Sequence, residues 1–430
     1  GLDKGYCLIV GGGDGSLARS FAKRSKLSVV VLDRDPQRVA LGRKRLASER
    51  LYGHRVTISI GDLSSISFPP YVFNVVVDQN GFWGASSQTP LDELLRVTRP
   101  LGGAVYCGQP AGAVSFGHRL DSRPLVRAAQ ELGPELHDLT VRDAWVSLVR
   151  GKVAGSQNWT HNYATAANTH CNEDMLVKGP FGVLWYGEPG PTMRVDRHQS
   201  GPVPLVSNGV MYSVGNDRLM AYDIYNGTQV WERAVAGITR TGLPLGTSNV
   251  VVDDQDVYLV VKDKECWQLD AKSGKTKNVF PTPIGEGSLS PYWGWIAKEG
   301  DTLFGSRSLV DSRRRRADSK RSDEVFAIDV RNGRVLWRVQ CGEMDHDGIA
   351  VNDGKLFLVS RRLSEAEKIL ASKAIPKDTT VPDRAAVDRR GKPIDRDLRK
   401  LVALDASTGA LIWEKPFDAT DITLDDTVVQ

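Results

Sequence analysis

Four copies of one short pattern fix the architecture of more than half of this chain. Each copy reads as an apolar strand, an Asp, three residues and a Gly, and three of the four place a Trp four residues further on. The copies are Leu219–Gly227 with Trp231, Cys266–Gly274, Val325–Gly333 with Trp337, and Leu401–Gly409 with Trp413; Asn278 stands at the Trp place of the second copy. Another strand precedes each copy, at Gly209–Val214, Asp256–Val261, Asp301–Ser306 and Lys355–Val359. A unit this short cannot bury its own apolar face, so the copies must stack as a propeller or a solenoid. The Asp bonds local amides in a tight turn and the Gly takes positive φ. A flat indole fills the gap between neighbouring units. Asp223, Asp329, Asp405 and the three tryptophans are structural on this reading.

The first 150 residues have a different period. Cys7–Val10 is an apolar strand that ends in Gly11-Gly12-Gly13-Asp14-Gly15-Ser16 and passes into a helix with Leu17, Ala18, Phe21 and Ala22 on one face. Glycines let the backbone turn sharply and approach a ligand, and the following helix start offers free N–H groups. A second strand, Ser28–Leu32, ends in Asp33, placed to accept hydrogen bonds from both ribose hydroxyls of a nucleoside. Asp35 is the expected N-cap of the next helix, with Pro36 at its first position and Val39, Gly42 and Leu46 inward. Further strands are expected at Val56–Ile60, Phe73–Asp78 and Ala104–Cys107, then a hairpin of His137–Arg142 and Ala144–Arg150. Strands alternating with helices imply a parallel sheet with its ligand site at the carboxyl ends of the strands. Gly11, Gly13, Asp14, Gly15, Asp33, Asp62 and Asp78 all fall there. Asp62 is placed to take an adenine amino group, Leu63 to pack on the ring, and Asp78 to orient a substrate beside the cofactor.

This set resembles the class I S-adenosylmethionine-dependent methyltransferases. Gly11, Gly13 and Gly15 match that family's glycine loop, Asp33 its ribose acid and Asp62 its adenine acid, and Arg96–Gly103 looks like its helix–Pro–Gly–Gly–strand passage. The resemblance implies S-adenosylmethionine as cofactor and methyl transfer to an acceptor that no residue identifies. The loop spelling is closest to the spermidine-synthase branch, but Asp78-Gln79-Asn80 carries one acid where that branch uses two, which counts against polyamine synthesis. A dinucleotide fold would require Gly where Ser16 stands.

The repeats resemble the pyrroloquinoline-quinone-type β-propeller, and Trp159–Thr169 looks like the entry segment of such propellers. The division expected is a methyltransferase-like α/β domain over 1–152 and an all-β propeller over 155–430, incomplete at four to five blades. Charged insertions at 308–324 and 361–400 are expected as exposed loops, with helical periodicity around Ala366–Ala374. Quinoproteins of this type hold quinone and Ca²⁺ with dedicated acids and often a vicinal cysteine pair. The five cysteines here are scattered, so pyrroloquinoline quinone and Ca²⁺ are not expected. His161, His170, His198 and Asp345-His346-Asp347 lack metal-ligand spacing.

A net charge of +4 over 430 residues gives no reason to expect specific nucleic-acid binding, and no apolar run reaches the length of a bilayer span. The chain starts at Gly1, almost inside a strand, and ends at Gln430 on the beginning of another, as a segment of a longer protein would. The expected function is a methyltransferase whose propeller binds the substrate or a protein partner. The alternatives are a scaffold with a vestigial nucleotide fold and a quinone-dependent oxidoreductase. Compartment stays open: the cofactor favours the cytoplasm and the propeller type the periplasm.

Overall fold

A computed structural model describes residues 4–80, 90–108, 123–142, 145–188, 190–194, 202–239, 249–284, 292–308, 321–373 and 396–419. The first domain runs β1 (Lys4–Val10), α1 (Ser16–Arg24), β2 (Lys26–Asp33), α2 (Pro36–Ser48), β3 (Val56–Ile60), β4 (Val75–Asp78), α3 (Leu91–Val97), β5 (Ala104–Gly108), α4 (Arg123–Gln130), β6 (Leu136–Arg142) and β7 (Trp145–Arg150). The sheet order is β3-β2-β1-β4-β5-β7-β6. The first five strands are parallel, and β7 pairs antiparallel with both β5 and β6.

Both faces of this sheet are covered, which is why its strands are almost continuously apolar. Alternation sends Cys7 and Ile9 to one face, with Ala18 and Ala22 of α1 and Val39 and Leu46 of α2. Leu8 and Val10 go to the other, with Leu94, Leu95 and Val97 of α3. Asp35 caps α2 as its position suggests, accepting from the amides of Gln37 and Arg38.

Among the described residues the repeats form four blades. The first is β8 (Leu205–Ser207), β9 (Val210–Gly215), β10 (Arg218–Asp223) and β11 (Gln229–Ala234); the second is β12 (Val250–Val252), β13 (Asp256–Val261), β14 (Glu265–Asp270) and β15 (Thr276–Pro281). The third and fourth share one seven-stranded sheet of β16 (Tyr292–Glu299), β17 (Thr302–Ser308), β18 (Arg321–Asp329), β19 (Val335–Asn352), β20 (Lys355–Ser360), β21 (Leu398–Asp405) and β22 (Leu411–Asp418). They merge because the 18-residue β19 is the outer strand of one blade and then the inner strand of the next.

Trp185, Trp231 and Trp337 each reach the following blade through one geometry. Trp231 Nε1 donates to the Ala271 carbonyl at 2.9 Å, and its ring lies on Gly274, where a Cβ would come within 2.8 Å. Trp337 does the same to the Ala406 carbonyl at 2.9 Å and to Gly409. Phe280 stands in for the missing tryptophan of the second copy and lies 3.7 Å from the Cβ position of Gly333. Trp185, outside the repeats as read from sequence, makes the same clasp on the first blade, donating to the Ile224 carbonyl at 2.7 Å and covering Gly227. Trp413 occupies the matching place on β22 with its ring 40% exposed.

The entry segment crosses the inner strands of all four blades. Trp159 exchanges backbone hydrogen bonds with Val206, the Thr160 carbonyl accepts from Val252, and the Ala166 carbonyl accepts from Val351. His161 Nε2 accepts from the Lys298 amide of the third blade at 3.0 Å. Burial lowers the His161 pKa to about 3, so the ring stays neutral, as an acceptor must.

The charged insertions are narrower than 308–324 and 361–400. Ser308, Ser322 and Glu324 are buried strand residues, because β17 and β18 pair as far as Ser308 and Ser322. Residues 365–373 form a helix, 398–400 belong to β21, and the arginine run 313–316 lies outside the described residues. Among the described residues no helix is long and apolar enough to cross a membrane.

Gly274 and Gly354 both have φ +67, but only Gly274 has an indole against its Cβ position. Gly354→Ala is expected to cost about 1 kcal/mol, from the left-handed backbone alone. Gly274→Ala is expected to cost about 3 kcal/mol, because steric overlap is added. Urea unfolding of the two variants checks this; equal losses would remove the clasp from the account.

Candidate functional site

The order of the first sheet reverses between the parallel strands β1 and β4, so the chain leaves their carboxyl ends toward opposite edges of the sheet. Ligands of open α/β sheets bind at this point, outside the carboxyl ends. Val10 and Asp78 are register partners across it, which places Gly11 and Asp78 side by side.

Gly11 and Gly15 have φ of +83 and +74, which other residues rarely adopt. Gly12 and Gly13 are required by closeness instead. A Cβ on Gly12 would meet Gln79 Oε1 at 2.8 Å, and one on Gly13 would meet the Asp33 carboxyl at 2.7 Å. The Asn80 side chain covers Gly11 in the same way. No side chain caps α1, which begins after Gly15.

Asp33 is buried with its carboxylate turned onto the loop. Oδ2 accepts from the Gly13 amide at 2.7 Å and faces Arg38 Nη1 at 3.2 Å, while Oδ1 accepts from the Asp35 amide at 2.9 Å. A carboxylate has about four acceptor positions, so room for one more donor remains. Arg38 also donates to the Gly11 carbonyl at 2.9 Å. The sequence reading passed over Arg38, although its place in the first turn of α2 aims it at the carboxyl edge.

Asp14 accepts from Ser16 and faces Arg45 at 3.4 Å. Asp62 Oδ1 accepts from the amides of Ser64 and Ser65, each at 2.9 Å, and from the Ser64 hydroxyl, and Arg34 pairs with Oδ2. The Ser64 hydroxyl bond, then Arg34 and the two amides, hold its pKa well below the ordinary range. Leu63 is buried in the core beside Leu8, Val10 and Leu32.

Asp78 differs from the other acids. It is 1% exposed, Oδ1 accepts only from the Asn80 amide at 3.0 Å, and Oδ2 has no hydrogen-bond partner among the described residues. Burial raises its pKa to about 6. Its register partner on β5, Cys107, is fully buried, and its thiol pKa is pushed up by the same burial and by the Asp78 charge. A buried carboxylate with one free oxygen at the mouth of a ligand crevice can accept a proton or a hydrogen bond from a bound group.

The propeller carries a polar cleft of about 540 Å³ between its first three blades, lined by Asn158, Ser207, Asp253, Asp254, Asp256 and Lys298 among others. Its acids are satisfied from within: Asp254 by Ser207 and Asn158, Asp256 by Gln268 and Lys277, and Asp253 by Lys298. His161 belongs to the entry segment, His170 stacks on Tyr163, His346 bonds Ser322, and His198 lies outside the described residues. Among the described residues no three ligating side chains converge on a metal position.

Comparison with known proteins finds two family models on the chain. The methyltransferase domain model matches residues 7–102. The model of the outer membrane protein assembly factor BamB matches residues 143–283 and 321–429. Among solved structures, a SAM-dependent methyltransferase from Aquifex aeolicus aligns at 16% identity and TM-score 0.27, over 35% of this chain and 84% of its own. BamB from Moraxella catarrhalis aligns at 15% and 0.30, over 50% and 52%. A quinohemoprotein alcohol dehydrogenase from Pseudomonas putida HK5 aligns at 17% and 0.39, over 60% and 40%. The chain thus spans about half of that BamB and two-fifths of that dehydrogenase. No curated protein matches it.

The raised pKa of Asp78 has a consequence for stability. The folded protein holds this proton more tightly than the unfolded chain, whose carboxyl titrates near 3.8. Stability is therefore lost as pH rises from about 4 through 6. Asp78→Asn is expected to stabilise the protein by roughly 2–3 kcal/mol at pH 8 and by less than about 1 kcal/mol at pH 4, read from urea unfolding at the two pH values. A gain of equal size at both would place the effect elsewhere.

Proposed function

The chain belongs to the family of the outer membrane protein assembly factor BamB and carries a methyltransferase domain ahead of its propeller, and we propose that it is an S-adenosylmethionine-dependent methyltransferase whose propeller binds the substrate or a partner. The observation that carries this reading is Asp78, a buried carboxylate with an unpartnered oxygen at the switch point, next to a glycine loop and the buried acid Asp33. That donor and acceptor set fits the cofactor. The backbone of Gly11, Gly13, Asp14 and Gly15 would hold its amino-acid portion. Asp33 would take one ribose hydroxyl with its remaining acceptor position, and Asp62 and Leu63 would meet the adenine. When bound, S-adenosylmethionine supplies an electrophilic methyl group on a sulfonium.

The chain's own residues then have two tasks. The loop and the strand-end acids fix orientation, which is the larger part of catalysis for an in-line displacement. Asp78 orients the acceptor and draws a proton from it as the new bond forms. A pKa near 6 leaves Asp78 mostly ionised at neutral pH and still basic enough to accept that proton.

One observation favours a second reading, in which the nucleotide fold is vestigial and the protein is a scaffold. Gly13, Asp35 and Arg38 already engage the Asp33 carboxylate. Calorimetric titration of the whole chain with S-adenosylhomocysteine separates the two. Under the methyltransferase reading the wild type binds at micromolar concentration and Asp33→Ala weakens binding by about tenfold or more, the loss of one charged hydrogen-bonded contact. Absence of binding by the wild type would leave the scaffold as the account.

A further inference from the structure

The first of the four repeat turns is used differently from the others. Asp270 Oδ1 accepts from the amide and hydroxyl of Ser273, and Asp405 Oδ1 accepts from the amides and hydroxyls of Ser407 and Thr408. Asp329 is held by Arg331 and Asn332 of its own turn. Asp223 gives only Oδ1 to its turn, accepting from the Tyr225 amide at 3.0 Å. Its Oδ2 accepts from two residues of the nucleotide domain, Arg99 Nη1 and Asn74 Nδ2, the latter at 3.1 Å.

The rest of the turn follows. Asn226 Nδ2 donates to the Val72 carbonyl and to Asn74 Oδ1, each at 2.9 Å. Tyr225 packs edge-on against Tyr71 with centroids 5.7 Å apart, and the Arg99 guanidinium lies over its ring. Asp223 is 2% exposed and the Arg99 side chain 14%, so the ion pair is shielded from solvent.

These contacts lie at the amino ends of the parallel strands. Asn74 immediately precedes β4, and Arg99 lies ahead of β5. The glycine loop, Asp33, Asp62 and Asp78 lie at the carboxyl ends. Strand β4 spans the difference, and four residue steps of about 3.3 Å put roughly 13 Å between Asn74 and Asp78.

We propose that the turn 223–226 is a docking element that grips the nucleotide domain by its amino edge, so that the propeller is a rigid rear anchor and contributes no wall to the acceptor pocket. An acceptor that engages both the propeller and Asp78 is then macromolecular, because it must reach around the sheet. The placement of the acceptor rests on the methyltransferase reading; the docking does not.

Asp223→Asn keeps the acceptor for Tyr225 and removes the charge that holds Arg99. Arg99→Met removes the partner from the other domain. Asp270→Asn makes the same exchange at an aspartate whose Oδ1 bonds Ser273 of its own turn. Limited proteolysis of the full chain at the 151–157 connection reads domain separation, and titration with S-adenosylhomocysteine reads the site. Expected are cleavage faster by about tenfold in Asp223→Asn and Arg99→Met, a rate within about twofold of wild type in Asp270→Asn, and affinity within about twofold of wild type in all three. Unchanged cleavage in both docking variants would overturn the joint. Faster cleavage with a tenfold loss of affinity would overturn the rear placement. If the wild type does not bind the probe, the acceptor placement falls with the methyltransferase reading, while the cleavage arm still decides the docking.

Discussion

Ten residues, Trp159 to Asn168, keep the four blades in order. The inner strands of a propeller converge on its axis, where their edges would otherwise present unpaired backbone groups. The entry segment supplies partners to one blade after another: Val206 of the first, Val252 of the second, Lys298 of the third and Val351 of the fourth. Asn168 adds a side-chain bond to the Ile349 carbonyl at 2.6 Å. The outer rim is held by the indole clasps, each placing an aromatic plane on a glycine of the next blade. Hub and rim together turn four blades into one body, and that body is what the first blade offers to the nucleotide domain.

The joint between the domains concentrates its energy in one buried pair. Leaving either Asp223 or Arg99 buried without the other costs about 3–5 kcal/mol, far more than a surface ion pair is worth. The same sheet therefore has a rigid end and a costly end. At the amino edge Asn74, Arg99, Asp223 and Asn226 are matched to one another. At the carboxyl edge Asp78 is held buried and half-satisfied, which stability alone would not select. Under the proposed function this asymmetry puts the joint at one edge and the chemistry at the other.

Much of this was legible in the sequence. The glycine loop, the Asp35 cap, the strand ends at Asp33 and Asp78 and the repeat turns are local signals, set by backbone conformation and by periods of two and 3.6 residues. What stayed hidden depends on residues far apart in the chain. Trp185 has no repeat around it, so nothing local marks it as a clasp. Asp223 is spelled like Asp270 and Asp405, and only the arrival of Arg99 and Asn74 distinguishes it. The insertion 308–324 looked like a loop because its charge dominates its composition, whereas Glu324 is buried between Arg307 and Arg338. Asp62 is held by Arg34, Ser64 and Ser65, and Leu63 by the core, contacts that no local signal in the sequence marks.

The central claim is that cofactor binding belongs to the carboxyl edge of the first sheet and leaves the propeller joint undisturbed. Hydrogen–deuterium exchange on the whole chain, with and without S-adenosylhomocysteine, tests it most directly. The account predicts slowed exchange at residues 11–16, 33–38 and 62–65 and no change at 71–74, 99–101 and 223–227. Protection at the 223–227 turn with an unchanged glycine loop would contradict it.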